Sequence, residues 1–323
     1  MDKHLLTEIE IKDFKCFKDF KADGFKRVNL IGGKNNVGKT AFMEACCVNT
    51  SSFDVDMTWY NLASIKISRN NLEYIGKTFN RDNVVESLQS IERFSAFSNI
   101  NKSEFALLNI DGKKEYKFNI NGKNTIININ DFAYNVKTNS VVQFIDNFGL
   151  TNDNLKDVFE SVQKNDKEEL LYKYINEFDE NIVNFKIIGG DKPQCKTLSG
   201  EYRDINEFGD GLKHYISIIC SLYACENGYL FIDEIDNGIH YTQLERLWEI
   251  ILVTSKKLHV QVFATTHSKE CIESYARVAK KLEDKEICYV KMSRLKDGSI
   301  KAGVRDFDML QDSIDDAHEV RGW

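Results

Sequence analysis

Residues 33–40 form a glycine-rich segment with the pattern G-x-x-x-x-G-K-T, made of Gly33, Lys34, Asn35, Asn36, Val37, Gly38, Lys39 and Thr40. The glycines let such a loop curl so that successive backbone N–H groups point at phosphate oxygens, and the helix that follows presents its positive end to the same anion. Lys39 is expected to reach the β- and γ-phosphates of a nucleoside triphosphate, and the Thr40 hydroxyl to bind Mg²⁺. An accidental glycine-rich turn is the alternative, and the strand and helix predicted on either side of the segment argue against it.

A second segment is an apolar run, Tyr229-Leu-Phe-Ile, that ends in the adjacent acids Asp233 and Glu234. Consecutive side chains at a strand end point in different directions, so the two acids can do two different jobs. Asp233 is expected to hold Mg²⁺, directly or through water, and Glu234 to polarise the water that attacks a phosphoryl group. The alternative is a strand end that faces solvent.

The segment Phe263-Ala-Thr-Thr-His-Ser is a third strand that runs into a polar turn. Ligands gather at the carboxyl ends of the strands of a parallel sheet. This predicts that His267 lies beside the γ-phosphate as a sensor. A lone histidine is more often structural, but this one follows a core strand downstream of the two acids, which favours the functional role.

A fourth segment, Gly209-Asp210-Gly211, directly precedes an apolar helix. A glycine-rich helix N-terminus can bind an anion. The alternative is a plain turn in which Asp210 caps the helix, and only the position of the segment, ahead of the Asp233 strand, favours anion binding.

The elements that must position these residues alternate along the chain. Strands are predicted near 5–12, 27–31, 229–232, 260–265 and 287–291, and helices from Lys39 and over 212–224, 242–253 and 269–282. Such alternation predicts an α/β fold with a largely parallel, buried central sheet.

Residues 50–185 follow a different pattern. The run from Glu104 to Asn130 is interrupted by Asp111-Gly112 and Asn121-Gly122, which is the strongest short signal for hairpins and predicts an antiparallel β-meander. Residues 140–180 are predicted to be helical, with Leu155, Val158, Phe159 and Val162 at helical spacing, and 182–188 to return to strand. We therefore predict one domain over 1–323 with residues 50–185 inserted as a β-meander and a helical lobe.

Composition limits the partners. The net charge of −7 argues against a surface devoted to nucleic acid, so direct DNA binding by the isolated chain is expected to be weak. A local basic stretch is the candidate for such contact, with solvated lysines as the favoured alternative; it contains Lys12, Lys15, Lys18, Lys21, Lys26 and Arg27. No apolar run approaches the roughly 18 residues that span a bilayer, and none of the eight cysteines forms a C-x-x-C pair, so a cytoplasmic protein with free thiols and no membrane contact is expected.

Taken together, the four segments resemble the ABC/SMC superfamily of ATPases. The opening Ile9-Glu-Ile-Lys-Asp-Phe-Lys-Cys-Phe is similar to the first strand and turn of SMC and RecF-type heads, and Phe208 to Lys213 with Phe231 to His240 resembles the signature helix and Walker B segment of the prokaryotic AAA-type ATPases related to the overcoming-lysogenization-defect (OLD) family. The resemblance implies a P-loop NTPase fold of the ABC/SMC head type, with ATP as substrate and Mg²⁺ as cofactor.

The resemblance also implies roles and partners. Residues 33–40 match Walker A, Gly209 to Gly211 the signature that faces a nucleotide in trans, Asp236 the start of the D-loop and His267 the switch residue. It implies a homodimer or higher oligomer that sandwiches ATP. No Q-loop glutamine can be assigned, although Gln89 is one candidate.

The resemblance leaves two functions open. Too few residues follow His267 for the Toprim nuclease of OLD relatives, and the acidic pairs Asp306/Asp308 and Asp315/Asp316 are expected to be surface turns. We therefore expect an ATPase subunit that senses or regulates in an anti-phage defence system, with a separate nuclease effector of the Toprim or HNH type. The alternative is a RecF/SMC-like ATPase of DNA repair or maintenance.

Overall fold

The computed structural model describes residues 5–70, 91–110, 113–128 and 141–315. Within them the strands are β1 Glu8–Phe14, β2 Phe17–Asp23, β3 Val28–Gly33, β4 Arg93–Ser98, β5 Lys102–Ile110, β6 Lys113–Ile120, β7 Lys123–Asn128, β8 Val142–Ile145, β9 Ile182–Ile188, β10 Lys192–Thr197, β11 Tyr202–Asp204, β12 Tyr229–Ile232, β13 Gln261–Thr266, β14 Ile287–Arg294 and β15 Ile300–Arg305. The α-helices are α1 Lys39–Thr50, α2 Val55–Asn70, α3 Asn152–Lys164, α4 Glu168–Phe178, α5 Asp210–Ala224, α6 Tyr241–Leu258, α7 Lys269–Lys281 and α8 Phe307–Asp315, and a 3₁₀ turn covers Ile205–Phe208.

The chain groups into two compact units. The first unit contains Met1–Phe25, Asn36–Ser140 and Met292–Gly303, and the second contains Lys26–Asn35, Val141–Lys291 and Val304–Trp323. The region 50–185 is therefore divided between the two units at residue 140. The organisation of the chain as one ATPase domain with 50–185 inserted in it stays a prediction.

The first unit is built on an antiparallel sheet in the order β2-β1-β4-β5-β6-β7. Its strands β5, β6 and β7 are the predicted meander, although residues 111–112 and 129–130 lie outside the described part. Helix α1 is buried along nearly its whole length, with Phe42 against Phe20 and Phe25, each at 5.7 Å between ring centroids. Aromatic packing on the sheet thus holds the helix that follows the glycine-rich loop.

The second unit contains most of a six-stranded sheet in the order β15-β14-β3-β13-β12-β8. Strands β3, β13, β12 and β8 pair in parallel, as predicted for the central sheet. Phe144, Phe231 and Phe263 stack across three of these strands at 6.4 and 5.3 Å. The packing of α5, α6 and α7 gives this unit a continuous apolar core.

One secondary-structure prediction was wrong. Residues 142–145 were expected to begin a helical region, but they form β8, which pairs in parallel with β12. The run Val-Gln-Phe-Ile is too short to show a period, and only the neighbouring strand supplies the hydrogen bonds that make it extended. Helix α3 begins later, at Asn152, and buries Leu155, Val158, Phe159 and Val162 as predicted.

A smaller antiparallel sheet in the second unit has the order β11-β10-β9. Of its strands only β9 was predicted. Its buried residues Phe185 and Cys195 pack towards α3, and Phe159 meets Phe185 edge to face at 5.1 Å. This sheet precedes the 3₁₀ turn that leads into α5.

Candidate active site at the carboxyl ends of the parallel strands

Four parallel strands of the second unit end at one edge of the sheet. The register pairs Ile145 of β8 with Ile232 of β12, Ile232 with Ala264 of β13, and Thr266 with Gly32 of β3. The segments that leave this edge are therefore Asp146, the Asp233-Glu234 pair, His267, and the first residues of the glycine-rich loop, Gly33 to Asn35. Ligand sites of parallel sheets form at such an edge.

Thr265 ties the two adjacent acids to the neighbouring strand. Its hydroxyl donates to Asp233 Oδ1 at 2.7 Å and accepts from the backbone N–H of Glu234 at 2.8 Å. The backbone N–H of Ile235 donates to the Thr265 carbonyl at 3.0 Å. A single β-branched residue of β13 thus fixes both the Asp233 carboxylate and the backbone from which Glu234 projects.

Glu234 adopts an unusual backbone conformation with φ of +49°. A non-glycine residue in this left-handed region is uncommon and carries strain that the surroundings must offset. The Glu234 side chain is 42% exposed and lies 3.7 Å from Nε2 of His267. The structure therefore brings together the two side chains that were predicted to face a terminal phosphate.

Asp236 and Thr266 form a second cross-strand contact. The Thr266 hydroxyl donates to Asp236 Oδ1 at 2.6 Å and accepts from the backbone N–H of Ser268 at 3.0 Å. Burial raises the pKa of the Asp236 carboxyl, an effect that the hydrogen bond from Thr266 opposes. The turn after β12 and the turn after β13 are consequently joined twice, by Thr265 and by Thr266.

The glycine-rich loop is shared between the two units: Gly33, Lys34 and Asn35 belong to the second, and Asn36 to Thr40 to the first. Gly38 has φ of +92° and directly precedes α1, where Lys39 is the first, buried residue and Thr40 is half-buried. Asn36 also has positive φ, and its carbonyl accepts from the Arg294 guanidinium at 3.1 Å. Loop and helix thus follow in the order that the motif requires.

Cys16 contacts the same part of the loop within the first unit. A Cβ added at Gly38 would lie 2.6 Å from Cys16 Sγ and 3.2 Å from the Phe17 ring, so only glycine fits there. Cys16 and Arg294 were not predicted to touch the loop. Because they are distant in sequence from residues 36–38, no local pattern could have revealed these contacts.

The predicted signature segment lies at the start of α5. Gly209 and Asp210 are exposed, whereas Gly211 is buried. A Cβ at Gly211 would overlap the carbonyl of Gly238, and a Cβ at Gly238 would lie 2.8 Å from the Gly211 nitrogen. Gly211 therefore has a structural reason to be glycine within its own chain, and the exposed pair Gly209-Asp210 is the part of the segment that is open to a partner.

Two further residues at this edge were not predicted. Asp146 follows β8 beside Asp233, and burial, together with the negative charge of Asp233, raises the pKa of its carboxyl against a backbone hydrogen bond from Phe148. His214 of α5 is fully buried beneath the backbone of Glu234 and Ile235. Neither residue belongs to a recognisable sequence motif. Their proximity to the two acids follows only from the packing of β8 and α5 in the folded chain.

Four of the six basic residues near the N-terminus pair with carboxylates. Lys12 and Lys21 both pair with Glu10, and Lys15 pairs with the buried Glu44. Arg27 is buried and pairs with Asp284. The expectation of solvated lysines was therefore wrong for Lys15 and Arg27, because carboxylates distant in sequence fold against them.

Other predictions concern groups away from this edge. The eight cysteines are free thiols, and all but Cys16 are buried. Asp306 caps α8 by accepting from the Met309 N–H at 3.0 Å. The predicted surface turns were wrong for Asp308 and Asp315, which lie within α8, whereas Gln89 and Asp316 lie outside the described residues. None of the described helices is both long and apolar enough to cross a membrane.

Comparison with solved structures identifies the fold. The head domain of an Smc protein bound to the C-terminal winged-helix domain of ScpA has a TM-score of 0.51 at 12% identity and covers 95% of this chain and 99% of that one. An Smc head with an extended coiled coil, bound to the C-terminal domain of ScpA from Pyrococcus furiosus, also has a TM-score of 0.51, at 9% identity and over 97% of this chain and 99% of that one. The predicted P-loop NTPase fold of the ABC/SMC head type is confirmed.

Sequence comparison identifies the family. A protein of Helicobacter pylori named ATP/GTP phosphatase is 27% identical over 326 residues, 83% of this chain and 87% of that protein. An uncharacterized protein of Methanocaldococcus jannaschii is 37% identical over 65 residues, 20% of this chain and 57% of that protein. Residues 63–273 match the family described as "AAA domain, putative AbiEii toxin, Type IV TA system". The chain belongs to this AAA-domain family and is an ATPase of the AAA type.

Proposed function

We propose that the chain hydrolyses ATP at the shared edge of the parallel strands, with Lys39, Thr40, Asp233, Glu234 and His267 in the roles inferred from the sequence. The observation that carries the proposal is the pair of hydrogen bonds made by the Thr265 hydroxyl, one donated to Asp233 and one accepted from the Glu234 N–H, with His267 3.7 Å from Glu234. These contacts hold Asp233 in place and leave Glu234 exposed. Both acids lie at the edge of the sheet where the glycine-rich loop follows β3.

Asp233 and Thr40 have the chemistry that Mg²⁺ requires. Mg²⁺ takes oxygen ligands and is usually bound by one or two carboxylates together with substrate phosphates and water. The Thr265 hydroxyl holds the Asp233 carboxylate at the edge of the sheet, where it could serve as one such oxygen ligand. Bound there, Mg²⁺ would neutralise charge on the β- and γ-phosphates.

Glu234 is the proposed general base. In this role it orients a water molecule and accepts its proton while the water oxygen attacks the γ-phosphorus and the bond to the bridging oxygen of ADP breaks. Lys39 and the loop N–H groups bind the phosphates, and His267 contacts the terminal phosphate beside Glu234. The exposure of Glu234 leaves its carboxylate accessible to that water.

Two substitutions test these assignments. Lys39→Ala should abolish binding of ATP and of GTP, measured by titration with a fluorescent analogue. Glu234→Gln should leave binding unchanged and lower the hydrolysis rate by about 100-fold or more, because the base is lost and the shape is kept. Glu226→Gln is the matched control, since that acid is exposed at the other end of β12. Hydrolysis by the Glu234→Gln protein at the wild-type rate would refute the role of Glu234.

We further propose that two chains sandwich ATP, with Gly209 and Asp210 of one chain facing the nucleotide of the other. The exposure of these two residues at the N-terminus of α5 supports the proposal, because a helix N-terminus favours anions. Asp210→Ala should spare nucleotide binding by the monomer and change both hydrolysis and ATP-dependent association. Sedimentation of the Glu234→Gln protein with and without ATP measures the association, and a monomer in both conditions would exclude the sandwich.

For the cellular role we propose a cytoplasmic sensor or regulator ATPase of an anti-phage defence system, acting with a separate nuclease effector of the Toprim or HNH type. The description of the family, which names a toxin of a type IV toxin–antitoxin system, supports a role in defence. Co-purification with the products of neighbouring genes, with and without ATP, tests it. ATP-dependent elution with a nuclease is expected, and repeated elution without any partner would count against it.

A role in DNA maintenance is the second candidate. The ion pairs of Lys15 and Arg27 argue against it, because they hold two cations of the basic stretch near the N-terminus against buried carboxylates. We expect weak, salt-sensitive DNA binding by the isolated chain. A Kd below about 1 µM at physiological salt would favour this candidate instead.

A further inference from the structure

His214 lies one helical turn after Gly211 on α5, in the part of the helix that packs beneath the turn carrying Glu234. Residues three apart share a helix face, and both contact the segment that follows β12. Gly211 meets the backbone of Gly238, and His214 lies against the backbone of Glu234 and Ile235. The first two turns of α5 therefore contact the segment from Glu234 to Gly238 at both of its ends.

The surroundings of His214 are tightly packed. Its side chain is fully buried, and a Cβ at Gly149 would lie 3.2 Å from the His214 Cα. The segment after β8 is fastened to the same helix by a hydrogen bond from the Leu150 N–H to Ser217 Oγ at 3.1 Å. His214 thus has little freedom to move away from the Glu234 turn.

Neither ring nitrogen of His214 has a hydrogen-bond partner of normal geometry within the described residues, although the carbonyls of Glu234 and Ile235 are close enough to affect its pKa. Burial lowers that pKa to about 4, so the ring is neutral at pH 7 and carries one N–H. A buried donor without a partner is costly, and buried polar groups of proteins are nearly always satisfied. An apolar side chain of similar size would avoid this cost, so the position calls for an explanation beyond packing.

The backbone beside His214 has a strained conformation. Glu234 has φ of +49°, and its carbonyl accepts from the Asn237 N–H at 2.8 Å. A carbonyl oxygen has two lone pairs, so it can accept a second hydrogen bond after a small rotation of the turn. The neighbouring His214 ring, which lies against this backbone, carries the N–H that can supply such a bond.

We propose that His214 is a positioning residue for Glu234, which donates a hydrogen bond to the backbone of the Glu234–Ile235 segment when the nucleotide-bound site closes. The inference rests on the proposed role of Glu234. His214 touches neither nucleotide nor water; it acts by holding the strained turn, and it links that turn to the helix whose N-terminus carries Gly209 and Asp210.

The test compares two substitutions of His214 with a control on the same helix. His214→Leu keeps the volume and removes the donor, and His214→Gln restores a donor on an uncharged side chain. Ser221→Ala removes another buried polar group of α5 that has no partner within the described residues. We expect His214→Leu to lower kcat by about tenfold or more with the Kd for ATP unchanged, because small displacements of a catalytic group are costly. His214→Gln should recover part of the loss, and Ser221→Ala should leave kcat unchanged.

A residue that only fills the core would give a different result. Replacing a buried, unsatisfied imidazole by leucine would then leave kcat unchanged and keep or raise the melting temperature. Equal kcat values for the leucine variant and the wild type would overturn the inference, as would a loss of activity that follows the melting temperature and is not reversed by glutamine.

Hydrogen exchange gives a readout that does not depend on hydrolysis. With Mg²⁺ and ATP, the amides of residues 234–239 should exchange about tenfold faster in His214→Leu than in the wild type, and should be unaffected by Ser221→Ala. Unchanged exchange would refute the positioning role even if the protein were inactive.

Glu234→Gln, measured in parallel, separates the role of Glu234 as base from the role of His214 as positioning residue. Normal hydrolysis by Glu234→Gln would refute the proposed base. Loss of hydrolysis in Glu234→Gln together with full activity of His214→Leu would refute only the positioning role.

Discussion

Gly211 and Gly238 meet backbone to backbone, with the start of α5 against the turn that follows the two acids. A Cβ on Gly211 would lie 2.6 Å from the Gly238 carbonyl carbon, and a Cβ on Gly238 would lie 2.8 Å from Gly211 Cα. Distances below about 3 Å do not occur for real Cβ atoms. Because of this contact, the start of α5 and the turn that follows the two acids cannot move independently within one chain.

Gly211→Ala should destabilise the protein, although helix propensity alone predicts the opposite. Alanine in a helix interior is favoured over glycine by about 1 kcal/mol, whereas overpacking against backbone costs about 1–3 kcal/mol. We expect the second effect to prevail because the opposing atoms are backbone. Urea unfolding measures the sign, and an increase in the free energy of unfolding would show that the contact relaxes without cost.

Thr265→Val should weaken both the fold and the active site. The substitution keeps the shape of the side chain but removes the hydroxyl that donates to Asp233 and accepts from the Glu234 N–H. Leaving buried polar groups without partners costs about 1–3 kcal/mol. Thr265→Ser keeps the hydroxyl and serves as the control. Unfolding and Mg²⁺-dependent nucleotide binding should both be impaired only in the valine variant; equal behaviour of the two variants would contradict this.

Arg27→Met should cost about 3–5 kcal/mol of stability, because it leaves the buried Asp284 carboxylate without its cation. The guanidinium also donates to the Leu252 carbonyl at 3.1 Å and to Ser255 Oγ. Lys18→Ala, at an exposed position of the same basic stretch, should have little effect. Denaturant titration of both variants provides the measurement. If Arg27→Met weakened DNA binding while stability stayed the same, the assignment of Arg27 to the core would be wrong.

His214 should make stability depend on pH in the acid range. In the unfolded chain its pKa lies near 6.5, and in the folded protein it is lowered to about 4. The unfolded state therefore binds more protons between these values, and stability that is fully present above about pH 6.5 is lost as the pH falls towards 4, with a slope of about 1.4 kcal/mol per pH unit from this group. The His214→Leu protein should lose less stability over that interval in urea unfolding. Parallel curves for the two proteins would show that His214 does not contribute.

Local sequence was enough to predict the elements of the parallel sheet and the segments that follow them. Tyr229–Ile232, the strand near 260–265 and the helix from Lys39 were predicted because strand-sized apolar runs and a helix-initiating glycine pattern are local properties. The grouping of the Asp233-Glu234 pair with His267 at one edge followed from the rule that parallel strands carry ligands at their carboxyl ends.

Local sequence was not enough where a residue owes its state to a distant partner. Strand β8 exists because β12 pairs with it, and this pairing brings Asp146 beside Asp233. The sequence predicted Arg27 and Lys15 to be solvated, but in the folded chain they pair with Asp284 and Glu44. No periodicity within either segment contains that information.

The amino-acid sequence by itself determined the chemical groups that the glycine-rich loop, the two acids after β12 and the histidine after β13 offer, because backbone freedom, charge and proton-accepting groups are properties of the residues themselves. The tertiary structure alone decided how these groups are held: the Thr265 hydroxyl between Asp233 and Glu234, the left-handed backbone of Glu234, and the helix α5 that brings Gly211 and His214 beneath it. Those relationships join residues between 20 and 32 positions apart, and only packing of the completed sheet and helices brings them into contact.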